Sequence, residues 1–149
     1  MQNLIQNARW YTTPDGTTPG FQNNGPAPDL CFFGGQRTRS LTQPEGSAAV
    51  TDEYLSPIPV RGRRAIRWGY VIRAIEAQNV VLCAAFSDAE GKPLHTLKHP
   101  IGNYLSPQFR PIRIRFPIPP GAQAVRLSME LSGRITACTY FAPAAWFCR

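Results

Sequence analysis

The chain has 149 residues, with 16 Lys+Arg against 9 Asp+Glu, a formal charge of +7, 15 Pro, 12 Gly and 4 Cys. That length is one domain's worth, and on folding it buries enough surface to need no disulfide staples. With 43% apolar and 17% charged residues, against about 25% charged in an ordinary domain, the composition excludes a disordered, acidic or coiled-coil protein, and no stretch reaches the roughly 18 apolar residues of a membrane-spanning helix.

From the amino terminus, MQNLIQNARW lacks the basic segment, apolar core and cleavage site of a secretory signal, and residues 3–11 read as a first strand. Residues 12–28, TTPDGTTPGFQNNGPAP, read as one long surface loop of a composition that also suits binding. Strands are expected at 29–33, 38–43 and 47–55. Over 65–76, Ile66, Trp68, Tyr70 and Ile72 point one way while Arg67, Gly69, Val71 and Arg73 point the other, the two-residue period of a half-buried strand. The run VVLCAAF, Val80 to Phe86, is apolar on both faces and marks 78–87 as an interior strand. After a strand at 94–98, Ile112, Ile114 and Phe116 oppose Arg113 and Arg115 within 109–117. Val125, Leu127, Met129 and Leu131 oppose Arg126, Ser128 and Glu130 within 122–132, and a last strand covers 135–148. Turns at Asp88-Ala89-Glu90-Gly91, Pro119-Pro120-Gly121 and Ser132-Gly133 join these pieces. Helical periodicity is absent. Many short strands with turns at this spacing predict a single all-β domain over 1–149, an antiparallel β-sandwich or jelly roll.

The inventory for catalysis is thin. His95 and His99 are four apart between Pro93 and Pro100, with no Glu after the first, so they do not form an HExxH zinc site; on a strand they share a face. Asp52 and Glu53 are neighbours and fall on opposite faces of a strand, whereas paired carboxylates in glycoside hydrolysis converge at about 5–9.5 Å. No G-x-S-x-G, Walker or dinucleotide loop occurs. Cys31, Cys83, Cys138 and Cys148 lack C-x-x-C spacing and read as buried thiols. The reading is therefore non-enzymatic, with no cofactor and no metal. The tetrapeptide YLSP occurs twice, Tyr54 to Pro57 and Tyr104 to Pro107, and reads as turn chemistry before Pro-rich strand starts.

Charge says more. Fourteen of the sixteen cations are Arg, and Arg67, Arg73, Arg113, Arg115 and Arg126 lie on the polar sides of strands. Guanidinium forms bidentate contacts with carboxylate or phosphate, so such a face suits an anionic partner such as an acidic polysaccharide. Arginine stems covering apolar surface are the bland alternative. Nucleic acid suits the charge, but the aromatics do not interleave with the arginines as a stacking platform requires. Among the aromatics, Trp68 and Tyr70 belong to the core face. Trp10 and Trp146 lie in the terminal strands and are placed to pack on each other. Tyr104, Phe109 and Tyr54 are the candidates for stacking on sugars.

Four segments resemble the galactose-binding-like jelly rolls that include many carbohydrate-binding modules. NLIQNARWY (Asn3 to Tyr11) is similar to their N-L-x-x-N-x-x-F/W start, and SPIPVRGRRAIRWGYVIRA (Ser56 to Ala74) to their S-x-x-I-P-V-x-P-G-x-x-Y-x-x-S stretch. VVLCAAFSDAEGKPL (Val80 to Leu94) resembles the strand ending in x-F-x-D-x-x-G, and FRPIRIRFPIPPGAQAVRLSMEL (Phe109 to Leu131) their strand, P-x-G-A, strand unit. The resemblance implies a jelly roll over nearly the whole chain. Relatives often hold a structural calcium through acidic residues near the first and last strands; here Ala8-Arg9-Trp10 and Phe141-Ala142-Pro143-Ala144 stand at those places, which leaves that site without its ligands. The fold serves glycan binding, adhesion and phage accessory proteins alike. An initial Met directly before the first strand, no signal peptide and ends that coincide with strands favour a surface-displayed accessory protein, with a bacteriophage virion as the expected location. Its expected partners are other virion proteins or further copies of itself, with host glycans or anionic polysaccharide as ligand. The alternative is an isolated carbohydrate-binding module of a secreted or cell-surface protein.

Overall fold

Among the described residues, eight strands are joined into one antiparallel sheet that folds over on itself. The computed structural model describes residues 2–14, 18–24, 29–33 and 36–149, with 29–33 and 36 described by backbone pairing. The strands are β1 (Phe21–Asn24), β2 (Asp29–Phe33), β3 (Gln36–Gln43), β4 (Val50–Pro59), β5 (Ala65–Ser87), β6 (Pro93–Pro100), β7 (Arg110–Pro117) and β8 (Ala124–Cys148). The two long strands serve both layers of a sandwich. Residues 65–75 of β5 pair β7 on one side and residues 137–148 of β8 on the other, and β8 there continues to β3 and β2: this is layer one. Residues 79–87 of β5 pair β6 and residues 124–132 of β8, which continues to β4 and β1: this is layer two.

The expected breaks at residue 77 and at Ser132-Gly133 are therefore corners inside continuous strands. Glu76 (φ 47°) bends β5, and Gly133 (φ 74°) bends β8 beside Gln78, where the register between the two strands shifts. The Arg134 amide donates to Gln78 Oε1 at 2.6 Å, and Gln43 Nε2 donates to the Gly133 carbonyl at 2.8 Å. A Cβ at Gly133 would overlap Gln78, so only glycine meets both the left-handed backbone and the space. The other two turns are as expected, with Gly91 and Gly121 at positive φ.

Two further expectations fail. Residues 3–11 are not a strand. The Asn3 side chain substitutes for strand pairing by donating to the Pro143 carbonyl (3.1 Å) and accepting from the Ala145 and Ile5 amides (both 3.0 Å). The chain then turns through Asn7 and Trp10, both at positive φ, and drops Trp10 into the core. The loop 12–28 is interrupted by β1, because Phe21 is inward-facing and buried against Tyr54; its residues 15–17 and 25–28 lie outside the described residues.

One core fills the sandwich, drawing Trp68, Tyr70, Ile72 and Tyr140 from layer one and Val80, Leu82, Phe86, Leu127 and Met129 from layer two. At the end covered by the amino-terminal segment, the rings of Trp10, Phe21, Tyr54, Tyr70 and Tyr140 meet at centroid distances of 5.0–6.0 Å. An ion pair ties the layers together there: Arg39 of β3 lies 2.6 Å from Asp52 of β4, with side chains 6% and 0% exposed. Tyr140 donates to the same carboxylate oxygen at 2.9 Å, and the Arg39 guanidinium lies 4.6 Å from the centre of the Trp10 ring. Burial lifts the Asp52 carboxyl above its ordinary pKa, against the opposing pull of Arg39 and Tyr140. Burial also works against the Arg39 cation, but the carboxylate beside it outweighs this and holds its pKa above the usual value.

Candidate functional site

Register places a set of arginines and aromatic rings on the outer face of layer one. Across β7, β5 and β8 the outward residues form rows: Arg115, Arg67 and Trp146; then Arg113, Gly69 and Ala144; then Pro111, Val71 and Phe141; then Arg73 and Thr139 beyond the end of β7. Successive rows are two residues apart, so Arg67 to Arg73 spans about 20 Å at a strand rise of ~3.3 Å per residue. Phe109 lies just ahead of β7 and completes the last row, with the Arg73 guanidinium 4.5 Å from its ring centre. Its ring meets Phe141 edge-on at 5.1 Å.

Arg113 spans the middle of the face. It donates from Nη2 to the Ala142 carbonyl of β8 at 3.2 Å and lies 5.8 Å from the centre of the Trp146 ring. Arg67 in turn donates from Nη1 to the Arg113 carbonyl at 3.0 Å. Gly69 sits beneath this crossing. An added Cβ there would overlap the Ile112 carbonyl oxygen and lie 2.9 Å from Arg113 Cα, so the close approach of β7 to β5 requires glycine. Burial holds the Arg113 guanidinium below its ordinary pKa, but it stays charged, as arginine does in proteins.

The β5, β7 and β8 segments of this face carry charge of one sign. Residues 65–75, 110–117 and 136–148 carry Arg67, Arg73, Arg110, Arg113 and Arg115 and not one Asp or Glu. Layer two is different: Arg126 is 3.5 Å from Glu53 and Lys98 is 3.2 Å from Glu130. At the adjoining end of the sandwich a hollow of about 460 Å³ is lined by Gly62, Arg63, Arg64, Phe147, Cys148 and Arg149. The Arg63 guanidinium lies 4.7 Å from the centre of the Phe147 ring.

Four of the five singled-out arginines thus share one face. Arg126 does not; it follows the inward Val125 on the β8 segment of layer two and faces away from the other four. Phe109 lies on the arginine face. Tyr104, 47% exposed in a 3-10 turn, sits round the edge of β7 in a depression of about 290 Å³ with Arg110, Pro111 and Arg113, and its ring stacks on His99 at 6.1 Å. Tyr54 cannot meet a ligand: it is 2% exposed, packs on Phe21, and its hydroxyl accepts from the Gln6 amide at 3.1 Å. The two YLSP tyrosines therefore share no site. Trp10 and Trp146 do not pack together either, since Trp10 is in the core and Trp146 is on the outer face of layer one. Phe141 and Trp146 are five apart, which in a regular strand puts them on opposite faces; the extra residue at Ala142 (φ 50°) resets the alternation and brings them together. His95 and His99 stand on edge strand β6, and no third ligating side chain joins them among the described residues.

No protein-family model matches the sequence, and no curated protein matches it in sequence. Solved structures match in fold. The enzymatically active domain of tailspike protein 4 of bacteriophage CBA120 aligns with 98% of this chain at 13% identity and a TM-score of 0.69, the chain spanning 21% of that one. The arabinose-bound MgGH51 α-L-arabinofuranosidase aligns with 97% at 11% identity and a TM-score of 0.67, the chain spanning 26% of it. The carbohydrate-binding module TmCBM61, in complex with β-1,4-galactotriose, aligns end to end, 99% of this chain with 100% of that one, at 12% identity and a TM-score of 0.60. These likenesses show a shared jelly-roll fold, which spans the whole of TmCBM61 and about a fifth to a quarter of the other two chains.

Proposed function

We propose that the protein is a non-catalytic, surface-displayed carbohydrate-binding jelly roll and that the outer face of layer one, with Tyr104 at its rim, is its binding surface. The observation that carries this is the gathering of Trp146, Phe141, Phe109 and four arginines on one sheet face, in a fold shared over its full length with TmCBM61, whose structure holds a galactotriose. Rings provide apolar surface for sugar faces, and guanidinium forks provide donors for hydroxyl and acid groups. Among the described residues, neither the histidines nor the carboxylates assemble into a group that would carry hydrolysis. Display on a bacteriophage virion, beside other virion proteins or copies of itself, is the finer form of the reading; a domain of a phage tailspike shares the fold, as do modules of the alternative kind. An isolated module of a secreted or cell-surface protein is the alternative.

A glycan array read with the wild type, Trp146→Ala and Tyr104→Ala tests the activity. Binding that falls in Trp146→Ala is the expected result, and no glycan retained at millimolar concentration would refute it. Co-sedimentation with phage particles tests the location: a monomer that never associates with a particle would leave the secreted-module alternative.

A further inference from the structure

We infer that the turn carrying Tyr104 is a recognition element of its own, a subsite for pyranose units with neighbouring free hydroxyls, contacted by Tyr104, Asn103 and Asn79; the inference rests on the carbohydrate-binding reading above. The turn stands out from the sandwich on fixed anchors. Ile101 before it is 1% exposed, and Leu105 after it packs against the core. The Ile101 amide donates to the Val80 carbonyl at 2.9 Å, and the Tyr104 and Leu105 amides donate back to the Ile101 and Gly102 carbonyls at 2.9 and 3.2 Å. Between these anchors Gly102, Asn103 and Tyr104 are all exposed. Their backbone is therefore placed before any ligand arrives, and little order is lost on binding.

The groups on show match a sugar. His99 backs the Tyr104 ring at 16° from parallel, which steadies a flat apolar surface for the C–H face of a pyranose, with a hydroxyl at its tip. On the other side of the turn a hollow of about 180 Å³ is lined in part by Gly102 and by the exposed Asn103 and Asn79. A carboxamide presents donors and an acceptor in one plane, the pattern that two adjacent hydroxyls complete. The depression beside Tyr104 holds about 290 Å³. Neither hollow alone reaches the roughly 300–1,000 Å³ of an enclosed small-molecule pocket. The ligand is thus an oligosaccharide laid across the turn, one unit against the ring and the next over the amides.

Gly102 supplies the decisive variant. A Cβ there would meet nothing within 4 Å, and the backbone is not left-handed, so Gly102→Phe folds without strain and fills the hollow that Gly102 lines. Wild type, Gly102→Phe, Asn79→Ala, Asn103→Ala and Tyr104→Ala are titrated calorimetrically with β-1,4-galactotriose, cellotriose, maltotriose and the O-methylated form of each, after a melting curve has shown every variant folded. For the trisaccharide that wild type binds most tightly, Gly102→Phe should abolish binding. Loss of the ring or of either amide should weaken it by about three- to tenfold, the size of one stacking contact or hydrogen bond, and O-methylation should weaken it by at least about tenfold. The side-chain amide signals of Asn79 and Asn103 in proton–nitrogen correlation spectra should shift on titration of the wild type. Undiminished binding by Gly102→Phe, amide signals that do not move, or equal affinity for the methylated sugar overturns the subsite. If Trp146→Ala abolishes binding in that case, the carbohydrate reading stands without the turn. Failure of every trisaccharide and of every array glycan removes both.

Discussion

Replacing Arg39 by Met isolates what the interlayer ion pair does. Asp52 is 0% exposed on its side chain, and in the variant it keeps only the Tyr140 hydroxyl as partner. A lone carboxylate in such a place is expelled from its charged form, because burial disfavours the charge and the opposing pull of Arg39 is gone. Removing one partner of a buried pair costs about 3–5 kcal/mol by mutation, so the expected loss at pH 7.5 is about 4 kcal/mol, a large share of a stability of roughly 5–15 kcal/mol. The sign with pH follows from the direction of the shift. A carboxyl whose folded pKa lies above its unfolded one binds its proton more tightly when folded, so its contribution is present below the unfolded value and is lost as pH rises through the folded one. Arg39→Met should therefore be least damaged near pH 4 and most damaged near neutrality. Urea denaturation of wild type and variant at pH 4.5 and 7.5 reads this directly. The double variant Arg39→Met with Asp52→Leu should return to within about 1–2 kcal/mol of the parent, because an apolar pair leaves no charge behind. An Arg39→Met penalty that is equal at both pH values, or under about 1 kcal/mol, would show that Asp52 is hydrated and the reasoning wrong.

Other consequences are simpler to read. Gly69→Ala forces β7 off β5 at the Ile112 carbonyl, and should lower stability by about 1–3 kcal/mol or more and blunt ligand binding, both measured on one thermal-shift plate. Cys83 and Cys138 have their thiol pKa pushed up to about 11 and about 12 by burial, so at pH 8 iodoacetamide should spare both while modifying the half-buried Cys148; peptide mass spectrometry reports it, and rapid alkylation of Cys138 in the native protein would contradict its position. Trp10 and Trp68 are 1% and 0% exposed, so acrylamide should quench mainly Trp146, and Trp146→Phe should abolish most of the quenching. Arg126→Ala breaks an exposed pair with Glu53 and should cost no more than about 1 kcal/mol in denaturant titration.

The parity of the sequence exposed most of the sandwich and concealed most of its site. Alternation assigned Trp68, Tyr70, Leu127 and Met129 to the core, where they are, because a half-buried strand carries its burial pattern in its own residues. Asp52 shares the parity of Val50 and Tyr54 on β4, and Arg39 that of Leu41 on β3, so both charges stood on apolar faces in plain view. What parity cannot supply is pairing between strands far apart in the chain, and that is what sorted Arg126 from Arg67, Arg73, Arg113 and Arg115. Nor does it survive an inserted residue. Ala142 and Gly133 each shift the register of β8, which hid the shared face of Phe141 and Trp146 and made one strand look like two. The amino-terminal segment misled for a related reason: Asn3 satisfies backbone groups through its side chain, so the segment is anchored to β8 without adopting a strand.

The distribution of the +7 charge is then more telling than its size. Arg67 and Arg115 stand directly opposite each other in register, and like charges at such positions destabilise a sheet. Salt relieves this little, because screening takes hold over about 8 Å at physiological ionic strength and opposed residues on neighbouring strands are closer than that. Layer two shows that the same chain places carboxylates beside its outward cations, at Glu53 and Glu130, so the repulsion on layer one is not a general habit of the fold. Arg73 and Arg113 there rest against rings and a carbonyl, through Phe109, Trp146 and Ala142, and Arg67 donates to the Arg113 carbonyl. Contacts of this kind hold several of the cations in place before any ligand arrives, which is the pre-organisation that the proposed binding face calls for.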